Sequence, residues 1–229
     1  IRVVCALPCR WRMGLTATPE RKDGLHTWMH LALGRTVYRI DQSTLDSAGR
    51  TMAPEILELR TFHQVEVDDV PARTMRGILE DPERNAFIRG AVERLASQGR
   101  TILVLTGLVD HAKFLAEVLE GEALVGEVTA KKREAVLARV RSGELRVVVA
   151  TQLADEGLDL PMVDAVVLAA PSSHKPATRQ RVGRACRALE GKRTPIVVEV
   201  VDDGDWALRK WSARRSLYRS LGWPIRRWK

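Results

Sequence analysis

The chain has 229 residues, of which 45% are hydrophobic and 29% charged, and its formal net charge is +8. This composition is ordinary for a globular protein, and the length can bury the core of one large domain or of one domain with an appendage. No apolar run approaches the ~18 residues of a membrane span and no signal peptide is visible, so we expect no membrane partner. Three cysteines are too few and too scattered for a disulfide framework, which favours a reducing compartment. Neither they nor the five histidines have metal-ligand spacing, so we expect no metal site.

The first hundred residues are the least regular part of the chain. Residues 1–4 have the pattern of a strand end, and residues 12–20 that of a polar loop. Thr36–Ile40 and Glu55–Phe62 are predicted as strands around a turn that contains glycine and serine. A helix rich in charge is predicted from Pro82 to Ser97.

Beyond residue 100, short apolar runs alternate with helical patterns. The runs at 101–106, 123–126, 145–150, 165–169 and 195–201 predict strands that are covered on both faces. In the segments between them, we expect Gly121 and Gly143 to end two helices and Thr129 to cap one. Strands joined by helices of this length predict crossover connections and a parallel sheet, whose ligands bind beyond the carboxyl ends of the strands.

The most informative helix is predicted to open near Pro176 and to carry the segment QRVGRACR at 180–187. Gln180, Arg184 and Arg187 fall at i, i+4 and i+7 and share one face. A second face has the spacing of buried residues and contains Val182, Ala185, Cys186 and Leu189. Two guanidinium groups side by side suit a polyphosphate, because each fork matches phosphate oxygens bidentately. The alternative is a solvated, arginine-rich surface helix.

Residues 206–229 hold as many positive charges as the whole net excess and contain no acidic residue. Four of the six tryptophans lie in the same segment. Basic residues interleaved with aromatic rings suit nucleic acid, because the charges contact phosphates and the rings stack on bases. The alternative is a helix that packs Trp211, Tyr218 and Leu221 on the body and points its arginines outward, and the two interpretations are compatible.

Four segments together resemble the C-terminal half of a superfamily 2 helicase. GLTATPER at 14–21 resembles motif III, and the strand at 102–106 with its following helix resembles motif IV. VATQLADEGLDLP at 149–161 resembles motif V, and QRVGRACR at 180–187 resembles motif VI. The sequence of residues 14–24 is most similar to that of DNA-repair helicases of the xeroderma pigmentosum group B type and their phage and bacterial relatives. The resemblance implies a RecA-like α/β fold with three layers, α/β/α, and a mainly parallel sheet.

The resemblance also implies roles for the residues of motif VI. Arg187 is expected to be the arginine finger that reaches the γ-phosphate of ATP, with Arg184 as its companion. Gln180 is expected to contact the nucleotide or the attacking water. Gly183, assigned with the ATP-binding residues, costs about 1 kcal/mol inside a helix relative to alanine, which indicates close packing against a neighbouring lobe.

The other motifs imply further site residues. Gly157 and Asp159 are expected near the ribose of ATP and the lobe interface, although the alternative of a plain acidic loop remains. Thr106 and Thr151 are expected to contact the nucleic-acid backbone, together with Arg215 and Arg219 of the basic segment. Thr16 and Thr18 are expected to couple the nucleotide state to the grip on the strand, and they are equally compatible with ordinary turn hydroxyls.

Two elements of a complete ATPase are absent from the sequence. There is no G-x-x-x-x-G-K-[ST] phosphate loop and no Asp-Glu box to hold Mg²⁺, and in superfamily 2 both belong to the first RecA-like lobe. We therefore expect residues 1–20 to be a remnant of that lobe, residues 21–205 the second RecA-like domain, and residues 206–229 a basic, Trp-rich helix and tail. The expected cofactor is ATP with Mg²⁺, bound mainly by the absent lobe.

These features predict the C-terminal lobe of an ATP-dependent DNA helicase or translocase, inactive alone, in the cytoplasm of a bacterial or phage-infected cell. Its expected partners are DNA and a first RecA-like lobe of the same protein. One alternative is a stand-alone basic nucleic-acid-binding or regulatory module, and another is a lobe of an RNA helicase or of a restriction-enzyme motor. Since the chain begins with Ile1, an excised fragment and a natural short protein are both open.

Overall fold

A computed structural model describes residue 6 and residues 8–16, 26–151 and 160–229 of the chain. The seven strands of the described part are β1 (Glu55–Gln64), β2 (Ile102–Thr106), β3 (Glu122–Leu124), β4 (Val147–Thr151), β5 (Ala165–Leu168), β6 (Ile196–Asp203) and β7 (Ile225–Arg227). They form one sheet in the order β3-β4-β2-β5-β6-β1-β7, and every neighbouring pair is parallel. The predicted parallel sheet is confirmed.

Eight helices connect or precede these strands in the described part. They are α1 (His26–Leu33), α2 (Gln42–Ser47), α3 (Pro71–Glu80), α4 (Pro82–Ser97), α5 (Val109–Val118), α6 (Ala130–Arg141), α7 (Lys175–Ala185) and α8 (Asp205–Ser220). Helices α4 and α5 bury apolar residues against one face of the sheet, and α6, α7 and α8 against the other. The fold is therefore the RecA-like three-layer α/β/α arrangement that the sequence predicted.

The central strands follow from their sequence. Every residue of β2, β4 and β5 is buried, because helices cover both faces of the sheet at these positions. Thr129 caps α6 by accepting a hydrogen bond from the backbone N–H of Lys132, and Gly143 follows that helix with a φ of +77°. Gly121 has another role than the predicted one: a Cβ there would lie 2.7 Å from the carbonyl oxygen of Val147, so only glycine allows this approach to β4.

Before residue 100 the structure differs from the sequence prediction more than it does later in the chain. The strand predicted at 36–40 is wrong, because these residues pair with no strand and the position beside β1 is occupied by β7. Helices α1, α2 and α3 were not predicted. Residues 12–16 have no regular structure, as expected of a loop, whereas residues 1–4 and 17–20 lie outside the described residues.

The basic segment at 206–229 belongs to the same sheet structure. Helix α8 packs against β6 through Trp211 and Tyr218, and β7 adds a strand beside β1. Tyr218 lies between the rings of Trp211 and Trp223, with its ring centroid 6.3 Å and 5.8 Å from theirs. The predicted packing of Trp211, Tyr218 and Leu221 on the body is confirmed.

Candidate functional site

The site is built around α7, which carries the arginine motif. Val182, Ala185 and Cys186 are buried against the sheet, and burial raises the pKa of the Cys186 thiol to about 12. Gln180, on the other face, is exposed, and Arg184, one turn later, is partly buried. The structure therefore confirms the division of this helix into a buried and an outward face.

The end of α7 differs from the prediction. The helix stops at Ala185 with Cys186 as its C-cap, so Arg187 follows the helix and Leu189 is 46% exposed. Arg187 forms an antiparallel bridge with Thr51, four residues before β1 begins. Helix α7 starts after the carboxyl end of β5 and runs back over about 16 Å, so Arg187 lies near the amino ends of the strands.

Lys192 ties down the end of α7. Its ammonium group donates to the carbonyl oxygens of Ala185 at 2.7 Å, Arg187 at 3.0 Å and Pro161 at 2.8 Å. The first two are carbonyls at the helix terminus, where a cation is favourable. Burial lowers the pKa of Lys192. One lysine thus joins the end of the motif VI segment to Pro161, the last residue of the motif V segment.

Two buried ion pairs on β6 reach the start of α7. On one face, Nε of Arg84 donates to Asp202 at 2.7 Å and its Nη2 donates to the carbonyl oxygen of Ala169 at 2.6 Å. Asp202 also accepts from the hydroxyl of Thr61 at 2.7 Å. Ala169 directly follows β5, so this pair holds the connection from β5 to α7.

The second pair lies on the opposite face of the sheet. Nη2 of Arg214 lies 2.7 Å from Glu199, and Nη1 of Arg214 donates to the carbonyl oxygen of Ser172. Tyr218 donates its hydroxyl to Glu199. Burial opposes the charge of Arg214, but Glu199 outweighs it and raises the pKa, while burial and then Glu199 raise the pKa of Tyr218. The expectation that the arginines of this segment point outward is wrong for Arg214, which is 2% exposed.

Two threonines lie at the carboxyl ends of neighbouring strands. Thr106 ends β2, Thr151 ends β4, and they are partners in the ladder, both buried. The hydroxyl oxygen of Thr106 lies 2.6 Å from Nδ1 of His111, whose Nε2 lies 2.9 Å from Oδ1 of Asn85. Burial, with a smaller contribution from Arg84, lowers the pKa of His111 from 6.5 to about 4. The Thr106 hydroxyl thus faces the buried His111 ring, and contact of either threonine with nucleic acid stays a prediction.

The remaining predicted residues are not gathered into one place. Arg215 and Arg219 are exposed on α8, while Lys210 lies 4.2 Å from the ring centre of Trp206. Thr16 is exposed in a segment without regular structure. A Cβ at Gly183 would meet nothing within 4 Å in the described structure. Gly157, Asp159 and Thr18 lie outside the described residues.

Sequence reasoning missed the residues that support α7: Arg84, Glu199, Asp202, Arg214 and Lys192. A signal was present, because Glu199 and Asp202 interrupt an otherwise apolar buried strand. A carboxylate is almost never fully buried without a partner, so two of them in one buried strand predict two cations above and below the sheet.

Comparison with known proteins supports this picture. Residues 84–189 match the family model "Helicase conserved C-terminal domain". The chain is 25% identical over 237 residues to "Probable helicase D10" of Escherichia phage T5, covering 97% of this chain and 49% of that protein. It is 30% identical over 191 residues to "Putative DNA 3'-5' helicase Rad25" of Halobacterium salinarum, covering 80% of this chain and 31% of that protein. The chain thus spans half or less of the length of these relatives.

A solved structure shows the same fold. The crystal structure of T4 UvsW superposes with a TM-score of 0.62 at 17% identity, covering 77% of this chain and 41% of that chain. The family match includes the strand with Thr106, the Thr151 segment, α7 and the two arginines Arg184 and Arg187. The chain therefore carries a helicase conserved C-terminal domain with a RecA-like fold, and phage helicases and helicases of the XPB and Rad25 type are among its relatives.

Proposed function

We propose that the chain is the C-terminal lobe of an ATP-dependent DNA helicase or translocase and that it supplies arginine fingers to an ATP site shared with a first RecA-like lobe. The observation that carries this proposal is the α7 segment, which shows Gln180 and Arg184 on its outward face and Arg187 just beyond its end. DNA is favoured over RNA because the Rad25 relative, named as a DNA helicase, matches 80% of this chain.

ATP is the substrate in this proposal, and the described residues include only some of the groups that would bind ATP. As the γ-phosphoryl group transfers, charge spreads over its three oxygens, and guanidinium groups stabilise that charge without proton transfer. Arg187 and Arg184 would bind these oxygens, Gln180 would orient the nucleotide or the water, and Gly157 and Asp159 would contact the ribose. Arginine fingers contribute about 10³–10⁵ in rate in related phosphoryl transfers.

The described residues do not suit Mg²⁺. No three His, Cys, Asp or Glu side chains in the described ranges cluster as ligands for a metal ion. We therefore propose that the first lobe holds Mg²⁺.

Nucleic acid would bind the same lobe through its basic surface. Exposed Arg215 and Arg219 would contact phosphates, and Thr106 and Thr151 mark the strand ends at which the backbone of the nucleic acid would pass. Thr16 and Thr18 would couple the nucleotide state to the grip on the nucleic-acid strand. No helix in the described part of the chain is both long and apolar enough to cross a membrane.

The test is ATP hydrolysis with and without a first lobe. The purified chain alone is expected to show no turnover, and DNA-stimulated turnover is expected when the first lobe is joined to it. Arg187→Ala should then lower kcat by about 10³-fold or more. Lys175→Ala, an exposed change at the other end of α7, is the matched control and should leave kcat unchanged. Turnover by the chain alone that Arg187→Ala abolishes would overturn the proposal.

A second candidate is a stand-alone nucleic-acid-binding or regulatory module, and the exposed basic residues of α8 and β7 favour it. It predicts salt-dependent DNA binding with no ATPase activity in any combination with a first lobe. Strand displacement on DNA and on RNA duplexes distinguishes the DNA helicase from an RNA helicase.

A further inference from the structure

Positively charged side chains hold the backbone before and after α7, and ATP chemistry in the family does not itself require them. The connection from β5 to α7 receives a hydrogen bond from Arg84 at Ala169 and another from Arg214 at Ser172. These two arginines come from helices on opposite faces of the sheet. The end of α7 receives the ammonium group of Lys192. The backbone before and after the motif is thus fixed from three sides.

Stability alone gives a weak reason for this arrangement. Arg84 and Asp202 are both fully buried, and taking two charges out of water cancels much of their attraction. Within the described residues, Nη1 of Arg84 and Oδ2 of Asp202 also lack a hydrogen-bond partner. A buried apolar pair of the same volume would serve the core as well. What an apolar pair cannot do is donate a directed hydrogen bond to the carbonyl of Ala169.

Placement of the arginines gives a stronger reason. A rate contribution from a guanidinium depends on its position, and an error of about 1 Å costs about 100-fold. Arg187 lies just outside the helix, where the bridge to Thr51 and the backbone N–H of Arg187, which donates to the carbonyl oxygen of Arg184 at 3.4 Å, hold its backbone. Lys192 adds a side-chain contact to this backbone support by binding the carbonyl oxygens on both sides of Cys186.

We propose that Arg84, Arg214 and Lys192 are positioning residues that fix the two ends of α7 and so place Gln180, Arg184 and Arg187 for the bound triphosphate. The inference rests on the proposed function for its catalytic consequence. Its structural part, the rigid placement of α7, belongs to this chain alone and can be tested without ATP.

Hydrogen exchange of the α7 amides tests the structural part on the chain itself. The first variant pairs Arg84→Met with Asp202→Asn, which removes both charges, keeps an acceptor for Thr61 and conserves volume. The second variant is Lys192→Met, and Lys192→Arg is its conservative partner. Leu95→Ala, a buried residue of α4 with no contact to this network in the hydrogen bonds described, controls for a general loss of stability.

The expected result is that α7 amides exchange about tenfold or more faster in the two test variants than in Leu95→Ala at equal global stability. Lys192→Arg should restore slow exchange. Exchange in α7 that changes no more than in Leu95→Ala would overturn the proposal.

Steady-state kinetics of the two-lobe enzyme test the catalytic part. The same variants should lower kcat about 10- to 100-fold and change KM for ATP far less, because placement matters most in the transition state. A parallel loss in Leu95→Ala, or a loss confined to KM, would overturn the positioning role. If the unmutated two-lobe enzyme has no ATPase activity, the proposed function fails, while the exchange result still decides the structural part.

Discussion

His111 is a single residue whose protonation state is linked to folding. Its ring is buried between Thr106 and Asn85, and the nearby Arg84 adds a positive charge, so the folded protein holds the ring neutral. The pKa falls from 6.5 to about 4, and the unfolded chain therefore binds one more proton than the folded protein between these values. This residue stabilises the fold above pH 6.5, and the contribution is lost as the pH falls towards 4.

We expect the free energy of unfolding to fall by about 3 kcal/mol at most from this one group as the pH drops from 7 to 4. His111→Gln keeps a polar side chain that cannot titrate, so its stability should depend less steeply on pH in this window. Urea unfolding of both proteins at several pH values measures the difference. Parallel pH profiles would show that His111 does not titrate as described.

The two buried ion pairs on β6 show how much the sequence reveals about single residues. The identity of Glu199 and Asp202 in an apolar strand indicated buried partners, but not which of the 37 basic residues supply them. Arg84 and Arg214 lie 118 and 15 residues away from their carboxylates along the chain. Only the packing of α4 and α8 on opposite faces selects them.

Among the elements, the buried strands and the helices covering them were predictable because burial on both faces leaves a clear apolar pattern, whereas the exposed edge strand β7 has no such pattern and was not predicted. Helix α4 has the predicted bounds, since Asp81 caps it by accepting from the backbone of Arg84 and Pro82 opens it. The end of α7 was not predictable from the period of its side chains. It is set by Cys186 as C-cap and by Lys192, which binds the terminal carbonyls from outside the helix.

A substitution at Gly183 within α7 distinguishes an effect on helix stability from an effect on contact with a partner lobe. Its φ is not left-handed and a Cβ would meet no atom of the described residues within 4 Å, so Gly183→Ala should stabilise the isolated chain by about 1 kcal/mol. If Gly183 faces the first lobe, the same change should lower the ATPase rate of the two-lobe enzyme. Thermal unfolding and ATP turnover are the two measurements.

Gly77→Ala provides the control for this prediction. Gly77 lies within α3, and in the part of the chain that the structure describes a Cβ there would also meet nothing within 4 Å, so the gain in helix propensity is the same. It should stabilise the chain and leave ATP turnover unchanged. Equal turnover in both glycine variants would mean that Gly183 is not at the lobe interface.

At the scale of the whole molecule, the order of strands and helices from β2 to β6 followed from the sequence, whereas the positions of the charged side chains did not. A parallel sheet requires crossover helices, so alternating patterns were enough to indicate the α/β class. The basic segment was identified by composition, but its charges are divided by packing: Arg214 is buried on Glu199, Arg226 lies 2.9 Å from Glu55, and Arg215 and Arg219 remain exposed. Only the exposed charges can contact phosphates.

DNA binding should therefore depend on where the charges lie and not on their number. Each phosphate contact that is lost reduces the dependence of log K on log salt by about 0.7–0.9. Arg215→Ala with Arg219→Ala should lower affinity for DNA and reduce the salt slope by about 1.5.

The control variant Arg76→Ala with Arg89→Ala removes the same charge from α3 and α4, where each arginine is exposed and paired with a glutamate one turn away. Fluorescence anisotropy titrations across a range of salt concentrations compare the two. A slope that changes equally in both would trace binding to net charge alone, and an unchanged slope in the first would instead indicate that this face of α8 contacts the first lobe.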